Sequence, residues 1–542
     1  MGCAPNKVVK QVVITNISNN SKIDTKPSQI LEKKIESKSS KHSIELLVNQ
    51  EAHPTIKIST NNFITENKGR VEDKYKILSL IGKGSYGRVY KVQHRSSKLF
   101  RAMKIIKKTS LSMQDDDQKF LKEIEILIET DHPNIIKIYE YFIDDVYFFL
   151  ITELIGGGDL YSAITKFSKF SEETAASILY QIFSAICYLH SKNIVHRDIK
   201  PENILVENWS LKNEEISLKI IDFGTSNFFT TENKLSLKIG SPYYIAPEVI
   251  RNEYNEKCDI WSCGVLMYIL ICGKPPFYGN SVNEIMDNVL KGKFDMGPKL
   301  FKNVSEKAQD LIKKLLTYDY KKRISAEEAL QSDWIQTYKN KKSVYNSHEV
   351  EQVLDNIKNF NAKEKLQHAT LAYIVHFIGA TDEVKKLKKM FKDMDVSGDG
   401  RLSYDELRVG FSQIMGQNLT DVELEKIVMD IDQDRNGFIE YEEFLRVALD
   451  KNTLLSQKNL KLAFDNFDIN GDGKLSGDEI KKVLGTDNNE YFDDLIKKID
   501  LNGDGEISFD EFSELMTAIL KVKMPKSKQV TQKDSSQKTT QI

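Results

Sequence analysis

By the pattern of its apolar positions, the 542-residue chain divides into five stretches. Residues 1–74 set few large apolar side chains among many Ser, Asn and Lys, which predicts a disordered head. Residues 75–334 mix strand-like and helix-like segments. Val89-Tyr90-Lys91-Val92 alternates with period two, and Phe120-Leu121-Lys122-Glu123-Ile124-Glu125-Ile126-Leu127 suits a helix. Residues 335–380 form a connector in which Leu366, Ala369/Thr370, Tyr373 and Phe377 recur at helical spacing. Residues 381–520 read as helical, with an apolar residue (Phe391, Val428, Phe464, Ile496) four places before each of four acidic loops. Residues 521–542 are polar and basic and predict a disordered tail. No run of about 18 apolar residues occurs, so no membrane span is expected. No apolar h-region follows Met1, which argues against secretion.

Charge sharpens this division. The net charge is −2, but residues 1–70 carry about +5 and residues 381–520 about −14. An acidic last third without a basic face suggests cation binding, and no nucleic-acid partner is expected, since that would want a basic patch. The five cysteines, Cys3, Cys187, Cys258, Cys263 and Cys272, have no zinc-ligand spacing, so reduced thiols in a cytoplasmic protein are expected.

The acidic loops begin at Asp395, Asp432, Asp468 and Asp500, a repeat that marks tandem supersecondary units. Each loop places oxygen donors at positions 1, 3 and 5. These are Asp395, Ser397 and Asp399; Asp432, Asp434 and Asn436; Asp468, Asn470 and Asp472; and Asp500, Asn502 and Asp504. Position 6 is Gly each time, where the backbone must turn sharply. Position 7 (Arg401, Phe438, Lys474, Glu506) offers a backbone carbonyl, and position 12 is Glu406, Glu443, Glu479 or Glu511. A hard cation wanting six to eight oxygens is served by this spacing, so Ca²⁺ is the expected ligand. Position 8 is apolar throughout (Leu402, Ile439, Leu475, Ile507), as contact between paired loops requires.

The front of the chain carries a second constellation. Ile81-Gly82-Lys83-Gly84-Ser85-Tyr86-Gly87-Arg88-Val89 is a weak signal alone. It is followed by a strand rather than a helix, which favours a strand–turn–strand lid over nucleotide phosphates. Ala102-Met103-Lys104 supplies a lysine for the phosphates, and Glu123 is the candidate to hold it, with Glu125 as the neighbour on the opposite face.

With His196-Arg197-Asp198-Ile199-Lys200-Pro201-Glu202-Asn203 and Asp222-Phe223-Gly224, the stretch resembles the eukaryotic protein kinase superfamily over roughly 260 residues. The resemblance implies a bilobal kinase that uses ATP and Mg²⁺. Asp198 would orient the substrate hydroxyl and Lys200 would neutralise the γ-phosphate. Asn203 and Asp222 would hold Mg²⁺, and Lys104 would pair with the α- and β-phosphates. Thr152, Glu153 and Ile155 would line the hinge beside the adenine. Ala246-Pro247-Glu248 closes the activation segment, with Asp259 and Arg323 as its anchors. Lys200 implies serine/threonine specificity. Asp159 and Glu202 resemble acidic positions that grip Arg or Lys upstream of the phosphoacceptor in a protein substrate. Leu237 stands where many kinases carry a phosphorylated Thr, with Ser236 one place off, so control is expected elsewhere.

The whole layout resembles the calcium-dependent protein kinases of plants and protists. The implied fold class is multidomain α+β: a bilobal kinase, then an all-α calmodulin-like domain of two EF-hand pairs. The implied connector is an autoinhibitory helix that calcium-opened lobes withdraw from the cleft. The chain is expected to be a monomer. Met1-Gly2-Cys3 resembles an acylation signal, with Gly2 for myristate and Cys3 for palmitate, although Asn6 departs from the Ser or Thr of that pattern. Two chains would add membrane association to a cytoplasmic protein.

Overall fold

The computed structural model describes residues 63–521, except 65, 68, 85–86, 109–112, 209–215, 230–234, 236–239, 340–344, 346, 359, 361, 363, 380, 414–415, 417–419 and 486–488. The front half builds a six-stranded sheet from β1 (Glu66–Asn67), β2 (Tyr75–Gly84), β3 (Gly87–His94), β4 (Phe100–Lys107), β5 (Ile138–Ile143) and β6 (Tyr147–Thr152). Its order is β1-β5-β6-β4-β3-β2. All neighbours are antiparallel except β1, which adds to β5 in parallel. The register sets Val89 beside Lys104 and Ala102 beside Thr152, so lid, lysine and hinge come from adjacent strands.

Helix α1 (Met113–Ile128) turns Glu123, Ile124, Ile126 and Leu127 inward and leaves Glu125 exposed. Below the sheet lie α2 (Leu160–Phe167), α3 (Glu172–Ser191) and α4 (Lys257–Cys272). Ser171 caps α3 by accepting from the Thr174 N–H, and Glu172 and Glu173 favour its first turn electrostatically. Helix α4 is buried from Cys258 to Ile271 and ends at Gly273, whose φ of 72° is the left-handed conformation that glycine adopts freely. Helix Asp333–Lys339 crosses the boundary expected at 334, because Trp334 and Ile335 both belong to the kinase core.

The connector folds as α5 (Ser347–Lys358) and α6 (Lys365–Phe377). The helices that flank the four loops of the acidic third follow: α7 (Asp382–Met394), α8 (Tyr404–Gln413), α9 (Asp421–Ile431), α10 (Tyr441–Ala448), α11 (Gln457–Phe467), α12 (Gly477–Leu484), α13 (Asn489–Ile499) and α14 (Phe509–Thr517). Loops join in antiparallel pairs at position 8: Leu402 with Ile439, and Leu475 with Ile507. Gly400, Gly437, Gly473 and Gly505 hold φ of 81°, 83°, 88° and 83°, the sharp turn expected at position 6.

One expectation is corrected. The sequence predicts a disordered head through residue 74, yet Phe63, Ile64 and Val71 are buried, and β1 and the turn of helix Val71–Lys74 are formed. Composition averaged over 74 residues hides a few apolar side chains that each find a core. Residues 1–62 and 522–542, including Gly2, Cys3 and the tail, lie outside the described residues.

Candidate active site and calcium module

Between sheet and helices, Lys104 Nζ sits 2.8 Å from Glu123 Oε1 and 3.0 Å from Asp222 Oδ1. Burial alone would lower the lysine's pKa, but Glu123 and Asp222 outweigh it and raise it. Burial likewise pushes Asp222 upward, and Lys104 more than offsets this, holding the carboxyl below its ordinary value. The lysine is therefore a fixed cation and Asp222 a fixed anion at neutral pH. Asp222 adopts a φ of 67°, outside the usual range for a residue with a side chain, as strained active-site positions do.

The second cluster surrounds Asp198. Lys200 Nζ donates to Asp198 Oδ2 at 2.6 Å, and Asn203 Nδ2 donates to the same oxygen at 3.0 Å and to the Asp198 carbonyl at 2.9 Å. Ser241, which sequence reasoning missed, donates to Asp198 Oδ1 at 2.9 Å and accepts from Lys200 at 2.9 Å. Its signal was its place just after Gly240 in the run leading to Ala246-Pro247-Glu248. Beneath the loop, fully buried Asp259 accepts from the backbone N–H of His196 (2.9 Å) and Arg197 (2.8 Å) and from His190 Nε2 (3.0 Å). Burial raises its pKa, and the His190 hydrogen bond leads the interactions that bring it below the ordinary value. Arg323 forks onto Glu248 at 2.5 and 3.1 Å in a buried pair.

Arg197 donates to the Thr225 carbonyl at 2.5 Å, the Ser226 carbonyl at 3.4 Å and the Tyr254 hydroxyl at 3.3 Å. Ser236 and Leu237, like Ser85 and Tyr86 of the lid, fall outside the described residues. Gly82 pairs with Val89, Lys83 with Arg88 and Gly84 with Gly87, which forms the expected lid, with Ile81 exposed at its edge.

Two residues differ from expectation in what their side chains do. Glu153 turns its carboxylate away to Lys219 (2.7 Å) and the Lys137 N–H (2.8 Å), so at the hinge it offers backbone. Asp159 caps α2 by accepting from the Ser162 N–H at 2.6 Å, while Glu202 is exposed beside the catalytic loop. Thr152 ends β6, with Ile155 packed against the kinase core.

The calcium loops fit a cation on the chemistry of their donors. In the second, ligand oxygens of Asp432, Asp434 and Glu443 lie within 4.8 Å of one another. In the first, burial and then the nearby Asp399 and Glu406 push Asp395 up to about 7. Burial pushes Glu443 up to about 8. Crowded, desolvated carboxylates are what a divalent ion relieves. Each position-12 glutamate is already drawn to its loop: Glu406 accepts from Ser397 N–H at 2.7 Å, Glu443 from Gln433 N–H at 3.0 Å, Glu479 from Ile469 N–H at 2.8 Å and Glu511 from Leu501 N–H at 2.9 Å.

Helix α6 is held by the module. Every residue from Leu366 to His376 is buried, Gln367 donates to the Leu515 carbonyl at 2.8 Å, and Tyr373 packs edge-on against Phe467 at 5.3 Å. Its far end touches the kinase. His376 Nε2 lies 2.7 Å from the Ile138 carbonyl, and Arg101 donates to the Phe377 carbonyl at 2.8 Å.

The second loop completes this seat. Glu442 Oε1 lies 2.5 Å from Lys137 Nζ and 2.9 Å from His376 Nδ1, and its N–H donates to Asp131 at 2.6 Å. Lys192 reaches Glu440 at 2.7 Å. The first loop adds its own contact, its Val396 carbonyl accepting from Lys339 at 2.8 Å. Glu442 was missed because position 11 of the loop has no ligand role, and Glu440, at position 9, because that position often reaches the ion only through water.

These features define a protein kinase joined to paired EF-hands. The protein kinase domain model matches residues 75–335, and the EF-hand domain pair model matches 384–449 and 457–517. The chain is 41% identical over 440 residues to calcium-dependent protein kinase 4 of Plasmodium berghei, covering 79% of this chain and 83% of that protein. It is 40% identical over 440 residues to calcium-dependent protein kinase 4 of Plasmodium falciparum, with the same coverage. With calcium-dependent protein kinase 5 of Plasmodium falciparum the identity is 39% over 454 residues, 82% of this chain and 78% of that protein. The chain belongs to the calcium-dependent protein kinase family and is a serine/threonine protein kinase.

Proposed function

We propose that calcium switches this kinase by moving α6. In the resting chain α6 obstructs the cleft. Binding at the four loops opens grooves that take up the helix, and the module then seats on the kinase through Lys137, Lys192 and Ile138. The observation that carries this reading is a coincidence of states: α6 is buried between the module and the kinase, away from the cleft groups, while the Lys104–Glu123 pair is closed. Differential binding of one helix in two places supplies the switching energy.

In the cleft, Asp198 orients the Ser or Thr hydroxyl of the protein substrate and accepts its proton. Ser241 and Asn203 hold that carboxylate in place. Lys104 and Lys200 set positive charge where the ATP phosphates lie. Asn203 and Asp222 would hold Mg²⁺, which would supply positive charge against the phosphates. Asp395, Asp432, Asp468, Asp500 and their companion loop donors hold Ca²⁺.

Exposed Glu202 supports a preference for basic residues upstream of the phosphoacceptor. Asp159 has one oxygen committed to its cap and contributes less. Gly2 and Cys3 are the sites for acylation, which would tether a cytoplasmic monomer to a membrane. The test of the switch is hydrogen exchange on the full chain. In chelator, α6 should exchange faster and the cleft slower than in calcium. Identical exchange in both would refute the reading. A peptide library tests the basic preference, and mass spectrometry of the N-terminal peptide tests the acylation.

A further inference from the structure

The segment just before the kinase domain places two adjacent side chains in two different cores. Phe63 is 6% exposed and belongs to the apolar cluster of α6 and the calcium module. Its ring meets Tyr373 edge-on at 5.7 Å and stacks on Phe467 at 6.2 Å. Ile64 is 3% exposed and belongs to the kinase cluster instead. It shares a narrow cavity at the seam with Ile136, His376 and Tyr441.

The next residues fix this step in space. Glu66 and Asn67 pair with Tyr141 and Phe142 as an added parallel strand. Asn67 donates to buried Glu140 at 2.6 Å and accepts from Lys74 at 2.6 Å. Phe63 therefore hangs from the kinase edge on a short, backbone-anchored arm and reaches across to the calcium module.

We propose that Phe63 and Ile64 form a strap that binds the docked calcium module, the slot for Phe63 being an intramolecular docking site for the head. The slot has two walls with different origins. Tyr373 belongs to α6 and Phe467 to the end of α11, just before the third calcium loop. They adjoin only while α6 lies in the module, where their rings are 5.3 Å apart. A residue that binds one of two states shifts the balance toward that state by its differential affinity. The strap therefore lowers the calcium needed for activation. This inference rests on the calcium-switch reading above.

The test compares the full chain with its Phe63→Ala and Phe63→Leu variants. Phosphate transfer to a basic peptide is measured against buffered free calcium, and exchange of residues 63–67 and 366–377 is followed in calcium and in chelator. Removing the ring should raise the half-activating calcium roughly threefold, a roughly tenfold loss of docking divided over two coupled ions. The rate at saturating calcium should be retained, Phe63→Leu should recover part of the shift, and wild-type exchange at 63–67 should slow with calcium together with 366–377. An unchanged midpoint overturns the strap, as does a lowered plateau at an unchanged midpoint. Equal protection of 63–67 in chelator and calcium overturns it as well. A wild-type chain indifferent to calcium instead overturns the switch on which the strap depends.

Discussion

Replacing Lys137 with Met is the most informative single change at the seat of the calcium module, because it leaves every calcium donor untouched. Glu442 Oε1 loses the ammonium at 2.5 Å, in a site where the two side chains are 19% and 8% exposed. Burial pushes the Glu442 pKa upward, and Lys137 leads the interactions that bring it well below the ordinary value. Removing one member of a buried pair typically costs about 3–5 kcal/mol. The lysine here is partly solvated and Glu442 keeps His376 at 2.9 Å, so about 2 kcal/mol is expected. That is about a 30-fold loss in the ratio of docked to undocked module.

Calcium binding must supply the difference. If two ions in the first pair of loops couple to docking, the half-activating concentration rises about fivefold, the square root of the 30-fold loss. The assay is peptide phosphorylation against buffered free calcium. Adding Glu442→Gln to Lys137→Met removes the stranded carboxylate and should recover most of the shift. A Lys137→Met chain with a wild-type midpoint and plateau, or a double variant no better than the single, would refute the docking argument.

Further expectations concern the cleft and the cores. Asp198→Asn keeps the shape but removes the carboxylate that Lys200, Asn203 and Ser241 orient. It should lower kcat at least 100-fold with nucleotide affinity little changed, measured by steady-state kinetics and a nucleotide-binding titration. Arg323→Lys cannot reproduce the fork on Glu248, and about 3 kcal/mol should be lost in denaturant unfolding of the kinase. His368 is held down to about 4, first by burial and then by Arg446. The unfolded chain takes up that proton near 6.5 and the folded one only near 4. Its contribution to stability is therefore lost as pH falls through that window, about 2 kcal/mol by pH 5. A His368→Gln variant should show a correspondingly flatter decline between pH 6.5 and 5, read from urea midpoints.

Much of the cleft was legible because its chemistry is local in sequence. The spacing within His196–Asn203 and within each calcium loop is local, and the structure brings Asp198, Lys200 and Asn203 together in the first and Asp432, Asp434 and Glu443 in the second calcium loop. Lys104, Glu123 and Asp222 were also found, though they meet only in space, because each sits in its own short motif. The nine-residue interval to His132 in the family register favours Glu123 over Glu125, and the helix phase agrees, one buried and the other exposed.

What was illegible depends on pairs with no local signature. Glu442 looks like any acidic residue of a calcium loop until Lys137 and His376 surround it, more than sixty residues away in sequence. Phe63 is one aromatic residue in a polar head, and its value lies in Tyr373 and Phe467. The periodicity of α6 predicted one apolar stripe, whereas the helix is buried all round. Two partners enclose it, the module and the kinase, and a single-face pattern cannot report both.

The account stands on one coupling, and the most direct measurement of it is the initial rate of phosphate transfer by the intact chain across free calcium. The rate should stay low in chelator and rise steeply to a plateau within about 10⁻⁷–10⁻⁵ M calcium, the range of sensor hands. Equal rates in chelator and in saturating calcium would contradict it.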